Sequence, residues 1–233
     1  MAGIINCAHR GASGQAPENT IAALELAVRL GAQMAEIDIQ QTADDELVLF
    51  HDDELGRTSS GSGFLWEHTL AQLKALDAGG WFSQEFEGER IPTLEEAVEA
   101  VRGKLKLNIE MKMHGHERGV EELVAGRLQR LHCLEWCFVT SFDWGAIDRL
   151  GELVPGLKAG YIVGRDRWDD GLLDCPVSVL SLERSLVTKE RVQRIHGVGK
   201  EVHVWTVDEV QEIQRLKDLG VDVVIGNFPG RFP

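Results

Sequence analysis

Cysteine is scarce in this chain. The four present, Cys7, Cys133, Cys137 and Cys175, show neither the paired spacing of a zinc site nor the density of a disulfide scaffold. Buried free thiols in a reducing compartment, the cytoplasm, are the expectation. Basic residues are also in deficit: 24 Lys and Arg stand against 38 Asp and Glu, a formal charge of -14. That balance disfavours nonspecific attraction to nucleic acid or anionic lipid, and a small anionic ligand would need a focused positive pocket. No apolar run is long enough to cross a bilayer, so no stable membrane anchor is expected. Met1 to Asn6 lacks a charged segment followed by an apolar one and reads as strand rather than signal peptide. Gly-rich dinucleotide and phosphate-loop signatures are missing where strands end, which sets nucleotide binding aside. No internal repeat or low-complexity tract stands out, and the oligomeric state is left open.

What is present is an ordinary globular composition, 43% hydrophobic and 27% charged over 233 residues. That length suits a single α/β barrel, which commonly runs to about 250 residues. Strand-like runs at 4–8, 34–40, 105–111, 136–140, 158–163, 177–180, 201–205 and 221–225 alternate with helical patterns, apart from a connection containing Trp168. Asn19 is the expected cap of the first helix. Thr93-Leu94-Glu95-Glu96 has capping-box spacing, and helices are expected over 116–131, 143–150 and 208–219, with another between Thr188 and Gly197. About eight helix-separated strands predict a (β/α)8 TIM barrel rather than an open doubly wound sheet. Residues 1–233 would form one barrel domain. From Asp53 to Arg90 the pattern loosens yet holds Phe64, Trp66, Trp81, Phe82 and Phe86, which predicts a small packed insertion after the second barrel strand.

The stretch from Met34 to Asp52 organises the reading. In Met34-Ala35-Glu36-Ile37-Asp38-Ile39-Gln40, the strand period of two puts Glu36 and Asp38 on one face. Burying two carboxylates costs several kcal/mol or more unless a cation or hydrogen bonds compensate, on the order of the penalty for an unpaired buried charge. Leu47 to Phe50 is a second β run, and a hairpin symmetric about Asp44 and Asp45 would set His51 opposite Asp38. The same period puts Glu110 and Lys112 on one side of their strand with Asn108.

In a barrel, His9, Arg10, Glu36, Asp38, Glu110, Lys112 and Trp205 all fall at the C-terminal ends of strands, where active residues sit. Three carboxylates without a cysteine ligand make a hard, oxygen-rich site for one divalent cation, Mg²⁺ or Ca²⁺, rather than structural zinc. Arg10 and Lys112 would meet phosphate oxygens. The imidazoles of His9 and His51 would supply the acid and the base that phosphodiester cleavage needs. The bland alternative is a buried salt-bridge layer with core-filling histidines. Acids and imidazoles gathered at one barrel mouth argue for a site instead. His114 and His116 read as a solvated loop, and Trp205 and Phe142 read equally well as pocket wall or core.

Ala8-His9-Arg10-Gly11, Pro17-Glu18-Asn19-Thr20, Glu36-Ile37-Asp38, Phe50-His51-Asp52 and Asn108-Ile109-Glu110-Met111-Lys112 together resemble the successive signatures of the glycerophosphodiester phosphodiesterase family, over nearly the whole chain. Leu55-Gly56-Arg57-Thr58, Ile91 to Glu96 and Val204-Trp205-Thr206-Val207 add to the likeness, whereas Ile225-Gly226-Asn227-Phe228-Pro229 departs from the commoner threonine-containing form at Gly226. The resemblance implies a (β/α) barrel hydrolase that cuts small-molecule glycerophosphodiesters to sn-glycerol 3-phosphate and an alcohol with a divalent cation. It maps Glu36, Asp38 and Glu110 to metal ligands, His9 and His51 to acid-base catalysis, Arg10 and Lys112 to phosphate contacts and Trp205 to the glycerol side. The alternatives are a lysophospholipase D-like enzyme, which would need an apolar mouth, and a noncatalytic barrel that binds a phosphorylated ligand.

Overall fold

The computed structural model describes residues 3–232. Its elements are β1 (Ile5–His9), α1 (Ile21–Arg29), β2 (Met34–Gln41), β3 (Leu47–Leu49), α2 (Leu70–Lys74), α3 (Leu94–Val101), β4 (Lys106–Met111), α4 (Val120–Arg130), β5 (Cys137–Ser141), α5 (Trp144–Leu153), β6 (Ala159–Val163), β7 (Val179–Glu183), α6 (Lys189–Gly197), β8 (Glu201–Trp205), α7 (Val210–Asp218) and β9 (Val223–Gly226). Eight of the strands are parallel and run in the ring β1-β9-β8-β7-β6-β5-β4-β2, closed by pairing of β1 with β2. This is the expected (β/α)8 TIM barrel, with a 3-10 turn, Asp170–Asp174, standing in for a helix between β6 and β7.

The ring forms because its strands are apolar on their outer faces, where Ala35, Ile37, Ile39, Leu107, Ile109 and Val139 are buried under helices. Each helix buries one stripe: Leu94, Ala97, Val98 and Val101 in α3, for instance, face inward. Thr93 caps α3 through a reciprocal box, its hydroxyl accepting from the Glu96 amide (3.2 Å) while the Glu96 carboxylate accepts from the Thr93 amide (2.8 Å). β2 outruns β1, which stops at His9, and antiparallel β3 pairs with β2 beyond that point. The hairpin therefore rises above the barrel mouth and β3 leads the chain back down to it.

Three local expectations need correction. The hairpin register is Ile39 to Leu49, Gln40 to Val48 and Gln41 to Leu47, which sets Phe50, not His51, opposite Asp38, and the Phe50 amide donates to the Asp38 carbonyl at 3.1 Å. The cause is a three-residue loop, Ala43-Asp44-Asp45, in which Asp45 adopts a left-handed φ of 61°. An odd loop moves the pairing by one residue. Second, Thr20, not Asn19, caps α1, accepting from the Ala23 amide at 3.2 Å. Third, α4 starts at Val120 rather than His116 because Gly115 and Gly119 both take positive φ.

Between Asp53 and Arg90 the chain makes α2 and three 3-10 turns around a cluster of its own, in which Leu55, Leu65 and Leu73 pack against Val48, Phe50, Ala78 and Ile91. Its return is anchored on β3, where Leu49 donates to the Pro92 carbonyl (2.8 Å) and Val48 bridges Thr93.

Thr93→Ala removes half of the α3 box and is expected to cost about 1 kcal/mol. In a chain of this size that lowers the melting temperature by about 2–4 °C. Thermal unfolding followed by far-UV circular dichroism measures it.

Candidate active site

The C-terminal mouth of the barrel holds a cavity of about 190 Å³ lined by His9, Arg10, Glu36, His51, Glu110, Lys112 and Trp205, with Phe142, Ser181 and Thr206. A larger cavity, about 840 Å³, opens at the opposite end among strand starts such as Ile5, Met34, Lys106 and Glu201. It holds none of Glu36, Asp38 and Glu110, and in this fold the N-terminal end serves stability.

Neighbouring strands put the three acids together: His9 pairs in register with Glu36, Glu36 with Asn108 and Asp38 with Glu110. One carboxylate oxygen each from Glu36, Asp38 and Glu110 lies within 4.8 Å of the others. All three are buried. Burial, then the neighbouring Asp38 charge, pushes Glu36 up to about 8 and Glu110 up to about 7. Burial presses Asp38 upward too, but Lys112 and then Arg10 outweigh it and hold this carboxyl below its usual range. Lys112 Nζ stands 3.1 Å from Asp38 Oδ1 and also contacts Glu110, while Arg10 Nε lies 3.2 Å from Asp38 Oδ2.

The set fits a hard cation on its own evidence. Glu36 Oε1 is buried without a hydrogen-bond partner among the described residues, and Asp38 Oδ1 meets only the off-line ammonium of Lys112. Oxygens in that condition are costly unless something positive engages them. The acidic cluster can thus bind a divalent ion, held by Glu36, Asp38 and Glu110.

Backbone geometry around the acids is specific. Arg10 has φ 55°, and its amide donates to Glu36 Oε2 at 2.9 Å. Asn19 has φ 56° and grips Asp38 twice, its Nδ2 donating to Oδ2 (2.8 Å) and its Oδ1 accepting from the Asp38 amide (3.1 Å). The segment that looked like a helix cap is an orienting arm.

Each imidazole is fixed through Nδ1. Asp52, where hydrogen bonds from Arg57 and His51 overcome burial and pull the carboxyl down to about 2, accepts from His51 Nδ1 at 2.6 Å. An ionised carboxylate only accepts, so Nδ1 carries the proton and Nε2 keeps its lone pair. Asn227 donates through Nδ2 to Asp208 (2.7 Å), which turns its Oδ1 toward His9 Nδ1 at 2.8 Å. His9 therefore holds the same tautomer. Burial, followed for His9 by Arg10, lowers the pKa of both rings and keeps them neutral near pH 7.

The sequence reading did not single out Asp52, Arg57, Asn227 or Asp208 for a role. They touch the cavity residues rather than the cavity, and only folding reveals the contacts. Trp205 donates Nε1 to the Ser181 carbonyl (3.0 Å) and meets Phe142 edge to face at 5.6 Å, so both are pocket wall. His114 and His116 lie in the loop after β4, His114 exposed and His116 part-buried: His116 stacks on Trp66 at 4.0 Å, and His114 pairs with Asp53 at 2.7 Å.

Residues 9–231 match the glycerophosphoryl diester phosphodiesterase family model. The chain belongs to that family. It is 36% identical over 230 or so residues to a glycerophosphodiester phosphodiesterase of Caldanaerobacter subterraneus, covering 95% of this chain and 93% of the relative. It is 31% identical to one of Bacillus subtilis, covering 98% and 85%. Its structure is similar to that of an Oleispira antarctica phosphodiesterase in complex with the product sn-glycerol-3-phosphate, with a TM-score of 0.88, 34% identity, and coverage of 98% of this chain and 95% of the other. A glycerophosphodiester phosphodiesterase of Agrobacterium tumefaciens gives a TM-score of 0.83 at 26% identity, each chain covered to 98%. As a member of this family the chain is an enzyme, a phosphoric diester hydrolase. Among the described residues no helix is long and apolar enough to cross a membrane.

The raised carboxyls predict a pH signature. A buried acid whose folded pKa lies above its unfolded value binds more protons when folded, so its stabilising contribution is whole below about 4.5 and is lost as pH rises through 7. In chelator-treated protein, Glu110→Gln should gain in melting temperature on the parent as pH goes from 5 to 8, read by scanning calorimetry. A constant difference would show that Glu110 is ordinary.

Proposed function

We propose that this enzyme hydrolyses glycerophosphodiesters to sn-glycerol 3-phosphate and an alcohol, with Mg²⁺ or Ca²⁺ held by Glu36, Asp38 and Glu110. The observation that carries it is the three-carboxylate cluster with orphaned oxygens, in a cavity that two imidazoles of identical tautomer also line. The sn-glycerol-3-phosphate product held by the similar Oleispira antarctica phosphodiesterase supports the same choice of ligand. When bound, the cation supplies charge stabilisation at the phosphoryl oxygens.

The chain's own groups carry the rest. Arg10 and Lys112 draw the phosphate into the mouth and spread its developing negative charge. Their positive charges already face Asp38, so the diester enters a site whose acids are part-compensated. His9 and His51 each offer an unprotonated Nε2 with a fixed partner behind it, which suits one to take a proton and the other, once protonated, to return one to the leaving alcohol. Trp205, with Phe142 against its edge, walls the side where the glycerol carbons would lie. We read residues 1–233 as one barrel domain with 53–90 as its insertion, and the free cysteines suit the cytoplasm.

His9→Ala and His51→Ala should each lower kcat on glycerophosphocholine by on the order of 10²–10⁴-fold, with an unchanged circular dichroism spectrum. Chelation should abolish release of glycerol phosphate, and Mg²⁺ or Ca²⁺ should restore it. Full turnover in chelator would remove the ion from this account, and inactivity on every diester would remove the substrate class.

A further inference from the structure

Two carboxylates outside the cavity share one guanidinium. Arg57 donates Nη1 to Glu18 Oε2 (2.9 Å), Nη2 to Glu18 Oε1 (2.7 Å) and to Asp52 Oδ1 (2.9 Å), and Nε to Asp52 Oδ2. Each carboxylate spends its remaining capacity on a residue that lines the mouth. Asp52 Oδ1 accepts from His51 Nδ1 at 2.6 Å, and Glu18 Oε1 accepts from Arg10 Nη1 at 2.8 Å. Arg10 then reaches Asp38. A single chain of contacts, His51-Asp52-Arg57-Glu18-Arg10-Asp38, joins two loops that enter the site from different strands.

We propose that Arg57, at the root of the 53–90 excursion, is a positioning residue that sets His51 and Arg10 in register with each other. The proposal rests on the functional reading above, because it assigns work to the pair through the diester they would share. Only arginine suits the place. Its planar fork of five donors engages two carboxylates at once, whereas the lysine ammonium is a compact charge on a flexible stem. Stability is not the main stake, since the Arg57 side chain is 45% exposed and ion pairs at such exposure contribute little. What its removal changes is direction. Asp52 and Glu18 would keep their charges but lose the common anchor, so the His51 ring and the Arg10 guanidinium would each be held by a carboxylate free to swing.

The test compares Arg57→Ala, Arg57→Lys, Asp52→Asn and the double variant Arg57→Ala/Asp52→Asn in the intact, cation-loaded protein, on glycerophosphocholine. Arg57→Ala should lower kcat by about 10²-fold, the scale of a small misplacement of reacting groups, with little change in melting temperature. Arg57→Lys should recover part of the loss. In the Asp52→Asn background the same Ala substitution should cost less than about threefold, because the path through Asp52 is already cut. Losses that simply multiply, an unchanged kcat, or a kcat loss matched by unfolding would each overturn the proposal. Should Arg57→Ala not fold, Arg57→Gln takes its place in the same cycle. A second readout does not depend on turnover: nitrogen-15 spectra of the His51 ring should show the Nδ1-protonated tautomer in the parent and a mixture in Arg57→Ala. An unchanged tautomer overturns the positioning role, whereas a parent inactive on every diester overturns only the functional reading.

Discussion

The structure turns on the burial of three acids at one point. Glu36, Asp38 and Glu110 sit with oxygens within 4.8 Å of one another, in a wall whose other side is packed hydrocarbon, and no arrangement of carboxylates alone is stable there. The barrel answers in two ways. It brings Lys112 from the end of β4 and Arg10 from the end of β1 over Asp38, and it leaves Glu36 and Glu110 with their charged forms disfavoured by burial and by Asp38. The compensation is incomplete: Lys112 donates to Glu110 and the Arg10 amide to Glu36 Oε2, while Glu36 Oε1 and Asp38 Oδ1 are left without a hydrogen-bond partner among the described residues. Those two oxygens make the cluster one that can take a cation rather than a closed salt-bridge layer.

Most of the polar structure around the mouth serves direction rather than cohesion. Asn19 accepts a left-handed backbone conformation, which costs on the order of 1–2 kcal/mol for a residue with a side chain, and uses it to hold Asp38 from two sides. Arg10 accepts the same conformation and turns its amide onto Glu36. Such strain persists only where surrounding contacts over-determine it. Here Thr20, one residue on, begins α1 and fixes the loop at its far end.

The parallel strands and the period-two placement of Glu36, Asp38 and Glu110 were legible in the chain because alternation along a strand is a local rule. So was the box at Thr93, since both partners lie within one turn. The hairpin register was not, because a left-handed Asp45 changes the loop by one residue and nothing in Ala43-Asp44-Asp45-Glu46 announces that. His51 nonetheless reaches the mouth, since β3 runs back toward it whichever residue faces Asp38. The partner of His9 was invisible for a different reason. Asn227 lies 218 residues from His9, and only closure of the ring between β1 and β9 makes them neighbours. That His114 and His116 meet Trp66 was not legible either, because Trp66 comes from the excursion, which periodicity does not place.

Gly226 shows how a backbone feature can reach the chemistry. A Cβ there would lie 2.2 Å from the Val207 carbonyl, so a side chain would force apart β9 and the segment that follows β8. With glycine the two remain close: the Val207 amide donates to the Ile225 carbonyl at 2.9 Å, and Asp208 clamps Asn227 through its amide (2.6 Å) and its Nδ2 (2.7 Å). That clamp decides which face of Asn227 meets His9, and hence which ring nitrogen of His9 carries the proton. Glycine at 226 thus bears on the His9 tautomer through two hydrogen-bonded neighbours. The same close approach is unavailable to any residue with a β-carbon unless the loop beyond β8 moves.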